Sequence, residues 1–546
     1  TAPTRRASVR SPSRRAAFPL GVALLGCLAL SPLGPRADAA TFVVDTTSDL
    51  ALGACAALVA ADCSLRGAII AANLSPDQDT IEFAIPPSDP GFVPATGHWR
   101  ISVPDPGLLP GITQPLMIDG YSQPGAVPNS NTPAQGGLNG TLKIEIHGSN
   151  PLGNANYGLQ LDSAQTSAIR GLAINNFRDG QVFVRGAAPH RIEGCYLGTD
   201  ITGNLAQVLS NGILLAGNGP YIIGGLLPEQ RNLLSGLNNA LLTSQQAANG
   251  VLIQGNLIGT NAAGNAVIGN QFGLLLFRMS NSLVGGTVPA ARNVFSGHRG
   301  QAIILQVNNP GVFDGLQIEG NYFGTDVSGR LPLGNALVSL DSTIQINGAG
   351  GDCGASIGGS APGQANLIAY SAGVGIRNAN CLGVRNTLNR FLGNANIAFD
   401  NIFGSSGSQG ATANDPGDGD SGGNRLQNHP DLVVPGSAGS SVALQYRVDS
   451  TIANSSYPIT VNFYRGDCGG GSRALLGSDT IQSAQAQQSI DYTLTSADGG
   501  NILPLTATAV DAAGNTSEFA PMLGDAVFRS GFEDTAGAPT AGSCDH

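Results

Sequence analysis

Three aspartates stand close together in Asn414-Asp415-Pro416-Gly417-Asp418-Gly419-Asp420-Ser421-Gly422-Gly423-Asn424. Carboxylates at Asp415, Asp418 and Asp420, on a turn that glycine allows to fold back sharply, are donors that a hard cation such as calcium takes. The same composition also suits a plain polar linker. Cysteine is the second group able to do covalent chemistry. Cys55, Cys63, Cys195, Cys353, Cys381, Cys468 and Cys544 follow Cys27, and no CxxC pair of the zinc-site kind occurs. Cys55 is expected to pair with Cys63, and Cys353 with Cys381 around an insertion. Cys468 and Cys544 then remain to pair with each other, and Cys195 is the odd thiol.

Acid–base chemistry is thinly provided. A lyase needs a basic side chain beside the abstracted proton, and a glycosidase needs paired carboxylates a few ångströms apart. Lys143 is the only lysine. His298-Arg299 offers a base, or else a solvated edge pair. Asp162 with Asp179 is a candidate carboxylate pair. His98, His147, His190, His429 and His546 are scattered and read as surface or internally satisfied residues. No Ser-His-Asp order, phosphate loop or metal-binding His pair stands out. No catalytic residue is assigned, and calcium is the only cofactor considered.

The elements that must position these groups show in an internal repeat. Gly194-Cys195-Tyr196-Leu197-Gly198-Thr199-Asp200 returns as Gly255-Asn256-Leu257-Ile258-Gly259-Thr260-Asn261, and again as Gly320-Asn321-Tyr322-Phe323-Gly324-Thr325-Asp326. Ile223-Gly224-Gly225 recurs at Val284-Gly285-Gly286 and Ile357-Gly358-Gly359. Asn232-Leu233-Leu234-Ser235-Gly236 recurs at Asn293-Val294-Phe295-Ser296-Gly297. From the first copy to the second, all three move by 61 residues. Three elements per 61 residues imply units of roughly 20 residues, too short for a helix in each. Short strands coiled and stacked on one another fit, which predicts a right-handed parallel β-helix solenoid. Asn256 and Asn321 share one register and predict an internal amide ladder rather than exposed turn residues, with Cys195 buried in the same column. Asp200 and Asp326 recur with the repeat, so turn capping explains them better than catalysis. The third copy is eight residues longer, and the excess is placed near Gly348–Ala355.

At the start, Arg5, Arg6, Arg10, Arg14 and Arg15, the apolar run Ala16–Leu33 and Ala37-Asp38-Ala39 read as a signal peptide over residues 1–39. Leu24-Leu25-Gly26-Cys27 and Arg14-Arg15 are weaker cues for a lipoprotein or twin-arginine signal. Residues 1–39 hold six of the 26 basic and one of the 37 acidic residues, so the remainder carries a net charge of −16. Such a chain is not drawn to nucleic acid or anionic lipid. No later apolar stretch is long enough to span a bilayer. Residues 40–145 read as an N-terminal cap with the first coils. Within it, Ser64 caps a helix through Asn73 that presents Leu65, Ile69 and Ala72 on one face. Residues 146–428 are the β-helix repeats. Residues 429–523 alternate as short strands of an immunoglobulin-like sandwich. Residues 524–546 form a tail containing Phe528-Arg529-Ser530-Gly531-Phe532-Glu533.

Cys63-Ser64-Leu65-Arg66-Gly67-Ala68-Ile69 resembles the CSLREA motif of bacterial secreted proteins, departing from it at Gly67. Pro115–Gly120 with Gln123-Pro124-Gly125, and the recurring Gly-Thr-Asp and Ile-Gly-Gly elements, are similar to the same family. Ala509–Phe519 resembles the closing strands of bacterial extracellular sandwich modules. The resemblance implies an exported β-helix protein and transfers no catalytic residue. The expectation is a secreted or cell-surface, non-catalytic protein for adhesion or glycan binding. The alternative is a polysaccharide lyase or glycoside hydrolase acting on an acidic polysaccharide, an analogy from fold alone.

Overall fold

A computed structural model describes residues 39–524, apart from 106, 151–155, 208–209, 247, 309–312, 338–341, 405–409, 435–438, 467–471 and 497. The signal-peptide reading, the pairing of Cys468 with Cys544 and the tail lie outside the described residues.

Three long sheets of eleven, eleven and nine strands run along the molecule. Each turn of chain contributes one strand to each sheet, as in His190–Glu193, Tyr196–Leu197 and Asn211–Leu215. The next turn lays Tyr221–Gly224, Leu233–Leu234 and Asn239–Thr243 directly on them, in parallel. The protein is therefore a parallel β-helix. Ile192, Ile223, Ile253, Val284, Ile318 and Ile357 are Cα partners in succession and at most 1% exposed. Stacking these branched side chains at the strand spacing of about 4.8 Å makes one wall of a continuous core. Each buried side chain of this kind is worth roughly 1.5–3 kcal/mol.

This register corrects the 20-residue unit. Ile192, Ile223, Ile253 and Val284 are 31, 30 and 31 residues apart. A coil is thus about 31 residues with three strands, and the 61-residue period is two coils. The period is double because the loops alternate. In one coil the long connection runs from Leu197 to Asn211, between the second and third sheets. In the next it runs from Gly224 to Leu233 and carries the short 3-10 turn Pro228–Gln230. The eight extra residues of the third copy are also redistributed. Matching Leu274 to Ile303 and Ile344 puts five of them before Ser342–Asn347, and only three after it.

The amide ladder is longer than expected. In the column Asn232, Asn256, Asn293, Asn321, Asn366 and Asn389, each but the last donates Nδ2 to the Oδ1 of the next, at 2.9–3.1 Å. Each also donates to a first-sheet carbonyl, such as Asn293 to Ile253 O at 2.7 Å. Cys195 heads the column, its N–H donating to Asn232 Oδ1 at 2.8 Å. Its free thiol is buried, and burial pushes its pKa up to about 12. That is a packed thiol, not a nucleophile.

Both expected disulfides are present, Cys55–Cys63 and Cys353–Cys381. The second joins the loops of two neighbouring coils, 5.8 Å apart at Cα. Helix Leu65–Ala72 covers the open first coil. Ser64 Oγ accepts from Gly67 N at 3.0 Å, and Leu65, Ala68, Ile69 and Ala72 are buried. Among the described residues, no helix is long and apolar enough to cross a membrane.

Beyond the solenoid, two antiparallel three-stranded sheets face each other across Val442, Leu444, Tyr446, Val461, Phe463 and Leu494. This sandwich closes the last coil. Thr516 O accepts from both Asn401 and Asn424, at 3.0 and 2.9 Å. Phe519 sits between Phe391 of the solenoid and Tyr464 of the sandwich, its ring centroid 5.8 and 5.4 Å from theirs. The segment Asn515–Phe519 thus supplies the cap that an open solenoid end requires.

Candidate functional site

The linker between solenoid and sandwich brings Asp415, Asp418 and Asp420 together, with one carboxylate oxygen from each within 4.8 Å of the others. The three are not equivalent. Asp418 is buried, and its Oδ2 accepts from Gln427, Ser450 and Ser455 at 2.6–2.8 Å while Oδ1 accepts from Asn428 N. It anchors the loop to both flanking elements. Asp415 and Asp420 each keep one buried Oδ1 with no donor. Burial, then the neighbouring Asp415 and Asp418, pushes Asp420 up to about 6. Oxygens short of donors on adjacent carboxylates match the donor preference of a hard cation. Asn454 Nδ2 also donates to Gly417 O at 2.8 Å, so a cation here would brace the junction.

A second feature arises where the solvent face of the first sheet meets the sandwich. A cleft of about 430 Å³ opens there. One wall is the row Gln317, Ser356 and Arg385, Cα partners on successive coils. Thr460, Asn462 and Ser478 of the sandwich stand opposite, with Leu475. Glu319 is the one carboxylate lining the cleft, and its Oε2 accepts from Gln364 at 2.7 Å. Domain junctions with convergent polar groups are common ligand sites.

Other candidates separate. Asp162 pairs with Arg185 at 2.7 Å, and Asp179 lies at the opposite strand end, so the two are not brought together. Asp200 and Asp326 accept backbone N–H groups four and five residues on, at 2.9–3.1 Å, which makes them turn caps. His298 is not part of a solvated pair. It is fully buried, neither ring nitrogen has a partner, and burial pushes it down to about 3. Lys143 Nζ donates to Gly97 O at 2.7 Å.

Reading the histidines one by one missed a network at the N-terminal coils. His98 contacts Thr96 Oγ1 through Nδ1 at 2.5 Å and Glu145 Oε2 through Nε2 at 2.9 Å. Burial alone would raise Glu145; hydrogen bonds from His98, Arg100 and Asn175 outweigh it and hold the carboxyl at about 2. These contacts tie strands His98–Val103, Ile144–Gly148 and Leu172–Asn175 together. The alternation of His98, Arg100, Glu145 and His147 on neighbouring strands was the available signal, but it needed the pairing register. The cleft had no sequence signal, because its walls come from segments about 100 residues apart.

The chain matches no protein-family model, and no curated protein is similar enough in sequence to count as a relative.

Proposed function

We propose that this is an exported, non-catalytic β-helix protein that binds glycan at a cell or matrix surface. The resemblance to CSLREA-motif proteins and the two disulfides, which persist in oxidising compartments, support the address. The observation that carries the activity is the junction cleft. It is lined by amides and hydroxyls, the groups that exchange hydrogen bonds with sugar hydroxyls, and rigid β-structure holds both walls. A glycosidase needs two carboxylates flanking the bond, whereas this cleft presents Glu319 alone, already engaged by Gln364. We further propose that calcium binds at Asp415 and Asp420, with Asp418 as the anchor, and fixes the sandwich against the solenoid.

The test is a glycan panel that includes polyuronates, read for both binding and cleavage by the purified protein. Saturable binding without product release supports the proposal. Release of unsaturated or reducing-end products contradicts the non-catalytic reading and favours a lyase or hydrolase. No binding across the panel contradicts the glycan reading.

A further inference from the structure

Eight arginines of the described chain pair with carboxylates, and most of these pairs tie one strand or loop to another. Arg385 does not. Like several other arginines it has no ion pair among the described residues, and it is the arginine that lines the cleft, exposed at the end of the Gln317–Ser356–Arg385 row. Evenly spaced at about 4.8 Å per coil, the row presents an amide, a hydroxyl and a guanidinium in order. The opposite wall adds Thr460 and Asn462, the latter held by Ser478 Oγ donating to its Oδ1 at 2.7 Å. Gly358 also lines the cleft; a Cβ there would lie 2.0 Å from Thr387 O, so the close stacking of the next coil keeps this position glycine. One end of the cleft therefore offers a planar fork of donors suited to a carboxylate, and the rest offers amides and hydroxyls suited to neutral hydroxyls.

We infer that this cleft takes a short oligosaccharide bearing a single carboxylate, a terminal uronic acid on neutral sugars, with Arg385 gripping the carboxylate. The inference rests on the glycan-binding reading and deepens it. A densely charged polyuronate fits less well. The net charge of the chain repels a polyanion, and Glu319 faces the same cleft.

The experiment is calorimetric titration of the whole protein with three probes: a trisaccharide ending in glucuronic acid, its methyl ester, and the same trisaccharide ending in glucose. The acid is expected to bind about tenfold or more tighter than the ester, the value of a charge-assisted pair. Arg385→Ala should reduce the acid to the level of the ester, and Arg385→Lys should recover part of the loss. Arg390→Ala, on the second sheet, should change nothing. Unchanged thermal melting of Arg385→Ala excludes a folding effect. Equal affinity for acid and ester, or an Arg385→Ala variant that binds like the parent, overturns the role of Arg385 while leaving glycan binding intact. If none of the three probes binds, the inference fails; if the wider panel is silent too, the underlying reading falls with it.

Discussion

His298→Leu should stabilise the protein, and more so in acid. The imidazole occupies a column where, 61 residues earlier, Leu237 stands fully buried. The surroundings repeat as well. Gly198 and Gly212 make room for Leu237, and Gly259 and Gly273 make room for His298. Leucine therefore has a shaped place to enter. The two unpartnered ring nitrogens of His298 each cost on the order of 1 kcal/mol or more to bury. The variant should gain about 2 kcal/mol at pH 8. The unfolded chain binds a proton near pH 6.5, whereas the folded chain refuses it until about pH 3. Wild-type stability through this group is therefore complete above pH 6.5 and falls as the pH drops from there toward 3. At pH 4.5 the unfolded state gains about 2.7 kcal/mol from protonation. The advantage of the variant should then grow to about 4–5 kcal/mol, read as the difference in urea midpoints at the two pH values. Equal differences at pH 8 and 4.5, or a less stable variant, would refute the reasoning.

Three further outcomes follow from the same structure. Replacing both Cys353 and Cys381 by serine should cost about 3.5 kcal/mol, measured by denaturant unfolding with and without reductant. Asn293→Leu should leave the buried backbone N–H of Asn256 without its acceptor and remove the Nδ2 bonds to Ile253 O and Asn321 Oδ1, costing about 2–4 kcal/mol in melting experiments. Calcium should raise the melting temperature of the wild type, and Asp415→Asn with Asp420→Asn should abolish that rise. Because Asp420 is held above its ordinary pKa, the metal-free protein should lose stability as pH rises from about 4 to about 6. Calcium should restore it above that window, and a flat calcium response in calorimetry would count against the site.

How much of this was legible depended on whether the signal was periodic or local. Asn256 and Asn321 announced the ladder because an internal column demands one residue type at one register. Ser64 with Leu65 and Ile69 announced the capping helix through local spacing. The coil length was misjudged because strands Leu197, Leu234 and Ile258 look alike in sequence, while the alternating loops that double the period do not. His298 beside Arg299 reads as solvent-facing because a polar residue stands where the preceding copy of the repeat has the apolar Leu237. The aspartate cluster was local and therefore visible. The unequal roles within it depend on Gln427, Ser450 and Ser455, which only the folded chain brings to Asp418. The junction cleft joins Ser356 and Arg385 to Thr460 and Asn462, a pairing set by how Phe519 docks the sandwich.

The central claim is that the angle between solenoid and sandwich is where a glycan is held. Amide hydrogen exchange of the intact protein, with and without a saturating uronic-acid-ended trisaccharide, tests it most directly. Slowed exchange confined to residues 356–360, 385–388, 460–462 and 475–478 is the predicted result. Unchanged exchange there, or protection on another face of the solenoid, would contradict it.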